Sequence, residues 1–123
     1  MENMKPKIIW AVIGLAALAF VAIGTMKLMG TPEMHASFAQ MGLPSWFGYF
    51  IGACEVAGGI GLLIRKLSAP AAAGLALITL GAVGFHISYT PLTQGIPALV
   101  LFILSVVIFL DRRDDAMFLF GKK

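Results

Sequence analysis

Residues 46–64, WFGYFIGACEVAGGIGLLI, constrain the chain more than any other stretch. They are nineteen nearly unbroken apolar residues with a single carboxylate, Glu55, at their middle. An apolar run of that length reads as a membrane span. A carboxylate at mid-bilayer costs about 2.5–3.5 kcal/mol on insertion scales, so it faces a bundle interior or a wet cavity and takes a partner. The other helices of the chain must supply both shelter and partner.

Composition agrees. Of 123 residues, 59% are hydrophobic and only 12% charged, and the mean hydropathy is +0.93. A soluble domain carries about twice that charged fraction. The length suits four spans and short loops, so residues 1–123 read as a single membrane domain with an all-α, four-helix transmembrane fold. The net charge of +3 comes from residues flanking the apolar runs, which points to topology and lipid headgroups and not to nucleic acid. One cysteine, Cys54, excludes an internal disulfide and a C-x-x-C redox motif, and its place in the span reads as a packing residue.

The first span is expected at about 8–28, after the basic head Lys5-Pro6-Lys7. Its apolar run exceeds the roughly 7–15 residues of a signal-peptide core, so it reads as retained. Trp10 suits an interfacial anchor, and Lys27 near the far end can snorkel outward or turn inward. A short amphipathic helix at about 32–41 follows, with Thr31 as N-cap, Pro32 at its first position, Met34, Phe38 and Met41 on one face, and Gly42 as terminator. It is expected to lie in the membrane interface, as a lid on the bundle. His35 on this segment reads as a polar residue at the wet surface.

In the second span Gly48, Gly52, Glu55, Gly58 or Gly59, and Leu62 share a helical face, and Gly48-x-x-x-Gly52 permits close helix approach. Arg65-Lys66 makes a basic turn, with Ser68 as cap for a third span through about 69–90, where Thr79, Ala82 or Val83, and His86 align. A fourth span is expected at about 94–110, stopped at the surface by Asp111-Arg112-Arg113-Asp114-Asp115. The tail, through Phe118 and Phe120, is expected to touch the membrane.

Lys5, Lys7, Arg65, Lys66, Arg112, Arg113, Lys122 and Lys123 fall on one side of this topology and only Lys27 on the other. Eight against one places both termini in the cytoplasm. Glu55 then lies roughly 13 Å below the outer start of its span, at 1.5 Å per residue. Lys27 and His86 sit nearer the same surface, so either can meet it. Such a contact serves as a structural pair or as part of a ligand or proton site. No metal centre is expected.

The stretch with Lys27-Leu28, Gly42-Leu43-Pro44, Ile51-Gly52-x-x-Glu55-Val56-x-Gly58 and Gly81-Ala82 followed by His86 resembles the DoxX-like family of small four-helix membrane proteins. The resemblance covers nearly the whole chain. It implies a multi-pass protein of the bacterial cytoplasmic membrane. The broader group includes a subunit of a thiosulfate–quinone oxidoreductase and eukaryotic proteins that assist membrane-protein assembly or trafficking.

Three function classes stay open. One is a binding or accessory protein that holds a lipid, a quinone-like molecule or a partner membrane protein, or a second copy of itself, at a polar site of Glu55, Lys27 and His86. Another is an oxidoreductase subunit, although paired cysteines, dinucleotide motifs and a histidine pair for haem are missing. The third is a small proton-coupled transporter. Small multidrug transporters, which share the four spans, carry their carboxylate in the first span, and the dual-topology types among them have little charge bias.

Overall fold

The computed structural model describes residues 5–113 and is all-helical, with no strand among the described residues. Its helices are α1 (Lys5–Leu28), α2 (Pro32–Gln40), α3 (Phe47–Leu62), α4 (Ser68–Tyr89) and α5 (Ile96–Arg112), with a 3₁₀ turn, Leu92–Gly95, leading into α5. Prolines stand in or beside first turns: Pro6 in α1, Pro32 in α2, Pro70 in α4 and Pro97 in α5. There the missing N–H breaks no helical bond.

Three helices are long and apolar enough to cross a membrane: Pro6–Leu28, Ser68–Tyr89 and Thr93–Arg112, the last counting the lead-in turn. The expected second span is shorter than its apolar run. α3 has 16 residues, or about 24 Å against a hydrocarbon core of about 30 Å. Leu63 N–H bonds the Ile60 carbonyl and Ile64 N–H the Gly61 carbonyl, tightening the chain out of the α-helix after a glycine-rich turn.

α1 packs along α3 and α4 along α5, and the two pairs meet through α3–α4 and α1–α5 contacts. All four run alternately up and down. The apolar cluster joining the pairs is Ile9, Ile13, Ala16, Ala17, Phe20, Leu62, Ala72, Leu75 and Ile108. These residues belong to the first two-thirds of α1, the end of α3, the start of α4 and the end of α5. The tight core therefore occupies the end of the molecule that carries Lys7, Arg65, Lys66 and Arg112. Outward faces are apolar too, as at Leu18 and Leu77, 69% and 72% exposed. A helix greasy on every side suits lipid, where backbone groups must be satisfied within the helix.

Small residues let α1 and α3 approach. A Cβ on Gly24 would lie 2.6 Å from the Gly52 carbonyl oxygen, and one on Gly52 would lie 2.7 Å from the Lys27 Cβ. Gly59 meets α1 at Ala17 and Val21, while Gly58 turns to Leu75 of α4 and Gly48 receives the His35 ring. The expected glycine face is thus divided among three neighbours.

Several local expectations are corrected. Ser68 does not cap α4: Leu67 takes the cap position, and the Ser68 hydroxyl is buried with no hydrogen-bond partner among the described residues. The preceding turn, with Leu67 N–H on the Ile64 carbonyl, has already drawn Ser68 into the helix. Thr31 stands at the N-cap of α2 but its hydroxyl makes no capping bond. α5 ends inside the acidic-basic run, at Arg112, but this residue is not at the surface as expected: it is 2% exposed. Its guanidinium carbon lies 4.8 Å from the Trp10 ring centroid, a cation–π contact that shelters the charge and ties α5 back to α1. The expected tail contact at Phe118 and Phe120 lies outside the described residues.

Candidate functional site

Away from the basic end the two helix pairs separate. α3 and α4 touch at Gly58–Leu75 and Gly61–Ala71, and beyond those contacts residues of both helices line a common cavity, Ile51 and Glu55 from α3 and Ala82, Phe85 and His86 from α4. The divergence leaves a cavity of about 750 Å³, within the range of small-molecule sites. Its apolar wall includes Ile23, Ile51, Ile78, Phe85 and Leu101, and α2 closes part of it with Glu33, Ser37 and Gln40. Leu77 and Gly81 line it as well, and both are exposed, so the cavity reaches the outer surface of α4.

Lys27 turns inward. Its Nζ donates to Glu55 Oε1 at 2.7 Å, with the side chains 12% and 5% exposed. Both residues line the cavity. Lys27 is in the last turn of α1, where the helix dipole favours a cation. The Nζ also lies 5.9 Å from the Phe38 ring centroid. Gly30 then reverses the chain at φ +78°; its N–H bonds the Lys27 carbonyl and Thr31 N–H the Met26 carbonyl, the paired closure of a Schellman end. Gly42, at φ +80°, ends α2 in the same way through the Ala39 and Phe38 carbonyls.

His35, read as a surface polar residue, anchors this arrangement. Its Nε2 donates to the Lys27 carbonyl oxygen at 2.8 Å, and its ring packs on Gly48 and on Tyr49, with centroids 4.4 Å apart. The imidazole therefore joins α2 to the end of α1 and the start of α3. No sequence signal points to a bond whose acceptor is a backbone carbonyl.

His86 lines the same cavity but bonds Thr90 instead of Glu55, Nδ1 lying 2.9 Å from Thr90 Oγ1. The Thr90 hydroxyl donates its proton to carbonyls, His86 at 3.1 Å and Pro91 at 3.2 Å. Thr79 likewise spends its proton on the Leu75 and Ala76 carbonyls, at 2.9 and 3.1 Å. Of the three candidate residues, Lys27 and Glu55 form the pair and His86 shares the cavity without joining it.

The opening can be tested by filling it. In Gly81→Trp the indole would fold back over Leu77 and Ile78, because helical side chains cover the turn before their own Cα; both of those residues line the cavity. Gly74, two turns earlier, is also clear of neighbours but is not part of the lining. Gly81→Trp is expected to abolish retention of any co-purifying molecule, and Gly74→Trp to leave it unchanged, as read by native mass spectrometry.

An all-helical membrane protein, with a buried ion pair set in the wall of a largely apolar cavity, is the class that this fold and site define. The chain belongs to the DoxX-like family, whose sequence profile matches residues 11–108. Comparison with curated proteins and with solved structures gave no match.

Proposed function

We propose that this protein is a multi-pass binding or accessory protein of the bacterial cytoplasmic membrane, built as a four-helix bundle from α1, α3, α4 and α5. The short helix α2 lies at the membrane interface, and both termini face the cytoplasm. The positive-inside rule supports that orientation, since Lys7, Arg65, Lys66 and Arg112 gather at one end of the helices. For α3, Trp46 before the helix and Leu63-Ile64 after it extend the apolar length, and a locally thinned bilayer accommodates the remainder.

The cavity holds a hydrophobic molecule with a small polar head, a quinone or a lipid being the natural candidates in this membrane. It would serve as carrier or accessory beside a membrane redox system. One observation carries this reading: the 2.7 Å Lys27–Glu55 pair forms part of the wall of a 750 Å³ cavity. An ion pair kept only for helix register needs no empty volume beside it. Glu55 orients the head, with Lys27 holding its carboxylate and His86 contributing a second polar edge.

The test is native mass spectrometry of gently solubilised protein beside Glu55→Gln, with extraction of any bound molecule. A defined small molecule is expected in the native protein and not in the variant. Folded but empty protein in both would refute the binding reading and leave Glu55 as a packing group.

A further inference from the structure

The cavity has two mouths of unlike character, a polar one at its outer end and an apolar one at its side. From them we infer that its ligand is a long-tailed molecule drawn from the bilayer, whose tail leaves through a window between α3 and α4 into the outer half of the membrane. This inference rests on the cavity being a ligand site and on the orientation proposed above.

The exposed residues of the lining fall into two groups. Glu33, Ala36, Gln40 and Met41 of α2, with Gln94 and Pro97 where α5 begins, rim the outer end. The others are Leu77 and Gly81, in the middle of α4. Exposure alone says little on a lipid-facing helix: Leu80 and Ile87 are exposed as well, yet neither borders the cavity. Leu77 and Gly81 do both, so the wall is open beside them.

Helical spacing gives the side. Ala71 and Leu75 face α3, where they meet Gly61 and Gly58, and Ile78, Ala82 and Phe85 continue that line. Leu77 and Gly81 each precede a member of the line by one residue. They therefore flank it on the side opposite Thr79 and His86, each of which follows a member. Register gives the depth. The same two contacts are antiparallel, and carried onward they set Glu55 level with Ile78 and Ile51 level with Ala82. Tyr89 marks the outer end of α4, and Gly81 and Leu77 lie about 12 and 18 Å below it at 1.5 Å per residue. Within a hydrocarbon core of about 30 Å, that is among lipid tails and at the level of Glu55. Further in, the way is closed by the buried side chains of Phe20, Leu62 and Leu75. A head bound at the Lys27–Glu55 pair thus has an apolar exit for its tail and no passage to the cytoplasmic half.

The experiment uses full-length protein in zwitterionic nanodiscs and four probes: a benzoquinone and a primary alcohol, each bearing either a two-unit or an eight-unit isoprenoid tail. The longer tail overfills a cavity of 750 Å³ and the shorter does not. Bound adducts are counted by native mass spectrometry at equal mole fractions of probe in the bilayer. For a head that binds, the long-tailed probe is expected to bind within about fivefold of the short-tailed one. A larger loss means that the tail must fit inside, and overturns the inference. Gly81→Trp is expected to weaken both at least roughly tenfold by closing the window, and Gly74→Trp to weaken neither. Undiminished binding in Gly81→Trp also overturns the inference and moves the entry to the outer rim. The tail comparison needs no variant, so it decides the matter even if Gly81→Trp fails to fold. Failure of all four probes to bind overturns the inference as well. A native molecule still retained in a Glu55-dependent way would then leave the ligand site standing without its window, and an empty native protein would remove the site itself.

Discussion

Lys27→Met is expected to destabilise the protein by about 3–5 kcal/mol, the usual cost of removing one partner from a buried ion pair. Lys27 Nζ donates to Glu55 Oε1 at 2.7 Å, and the two side chains are 12% and 5% exposed. Little water reaches the carboxylate once the ammonium is gone. The double variant Lys27→Met/Glu55→Leu is expected to regain most of the loss, because replacing a whole buried pair with apolar groups is often neutral or stabilising. Reversible unfolding in mixed detergent, followed by circular dichroism across the cycle, gives the coupling. Additive single effects would mean that the pair contributes nothing as a pair. The double variant also separates stability from function: folded and stable, it is still expected to lose any bound molecule.

That pair was half-legible in the sequence. Counting residues from the helix ends puts Glu55, Lys27 and His86 in the same half of the membrane, which is sufficient to say that Glu55 has a partner within reach. It does not choose between the two. The choice follows from how α1 and α3 meet: the Lys27 Cβ passes directly over Gly52, one turn from Glu55, whereas the His86 ring bonds Thr90 at the end of its own helix.

Other features left weaker traces or none. The cavity between α3 and α4 depends on where their contacts cease, which no residue type along either helix announces. His35 binds a main-chain oxygen, which has no residue signature. Arg112 belongs to a charge run that reads as a solvated stop, and its cover, Trp10, comes from the opposite end of the chain. Helix identity was the readable part, since apolar length and proline position are local properties. The partner of Glu55 and the cavity depend on which helix meets which.

Gly52→Leu is expected to do the most damage after loss of Lys27, costing about 3 kcal/mol, at the upper end of ordinary overpacking penalties. A Cβ at position 52 would lie 2.7 Å from the Lys27 Cβ and 2.9 Å from the Gly24 carbonyl oxygen. Neither atom is the loose end of a flexible side chain, so relief requires α1 and α3 to separate. In lipid that separation is costly in a particular way, because helix association there depends on close van der Waals packing and not on expulsion of water. Gly14→Leu is the matched control: it lies in α1, faces outward, and has nothing within 4 Å of its would-be Cβ. There the exchange is expected to cost nothing and to gain up to about 1 kcal/mol from helix propensity. Equal unfolding midpoints for the two variants would show that the α1–α3 contact is not the close one described. A large loss at Gly52 alone, with release of any bound molecule before unfolding, would show that this crossing also sets the position from which Lys27 reaches Glu55.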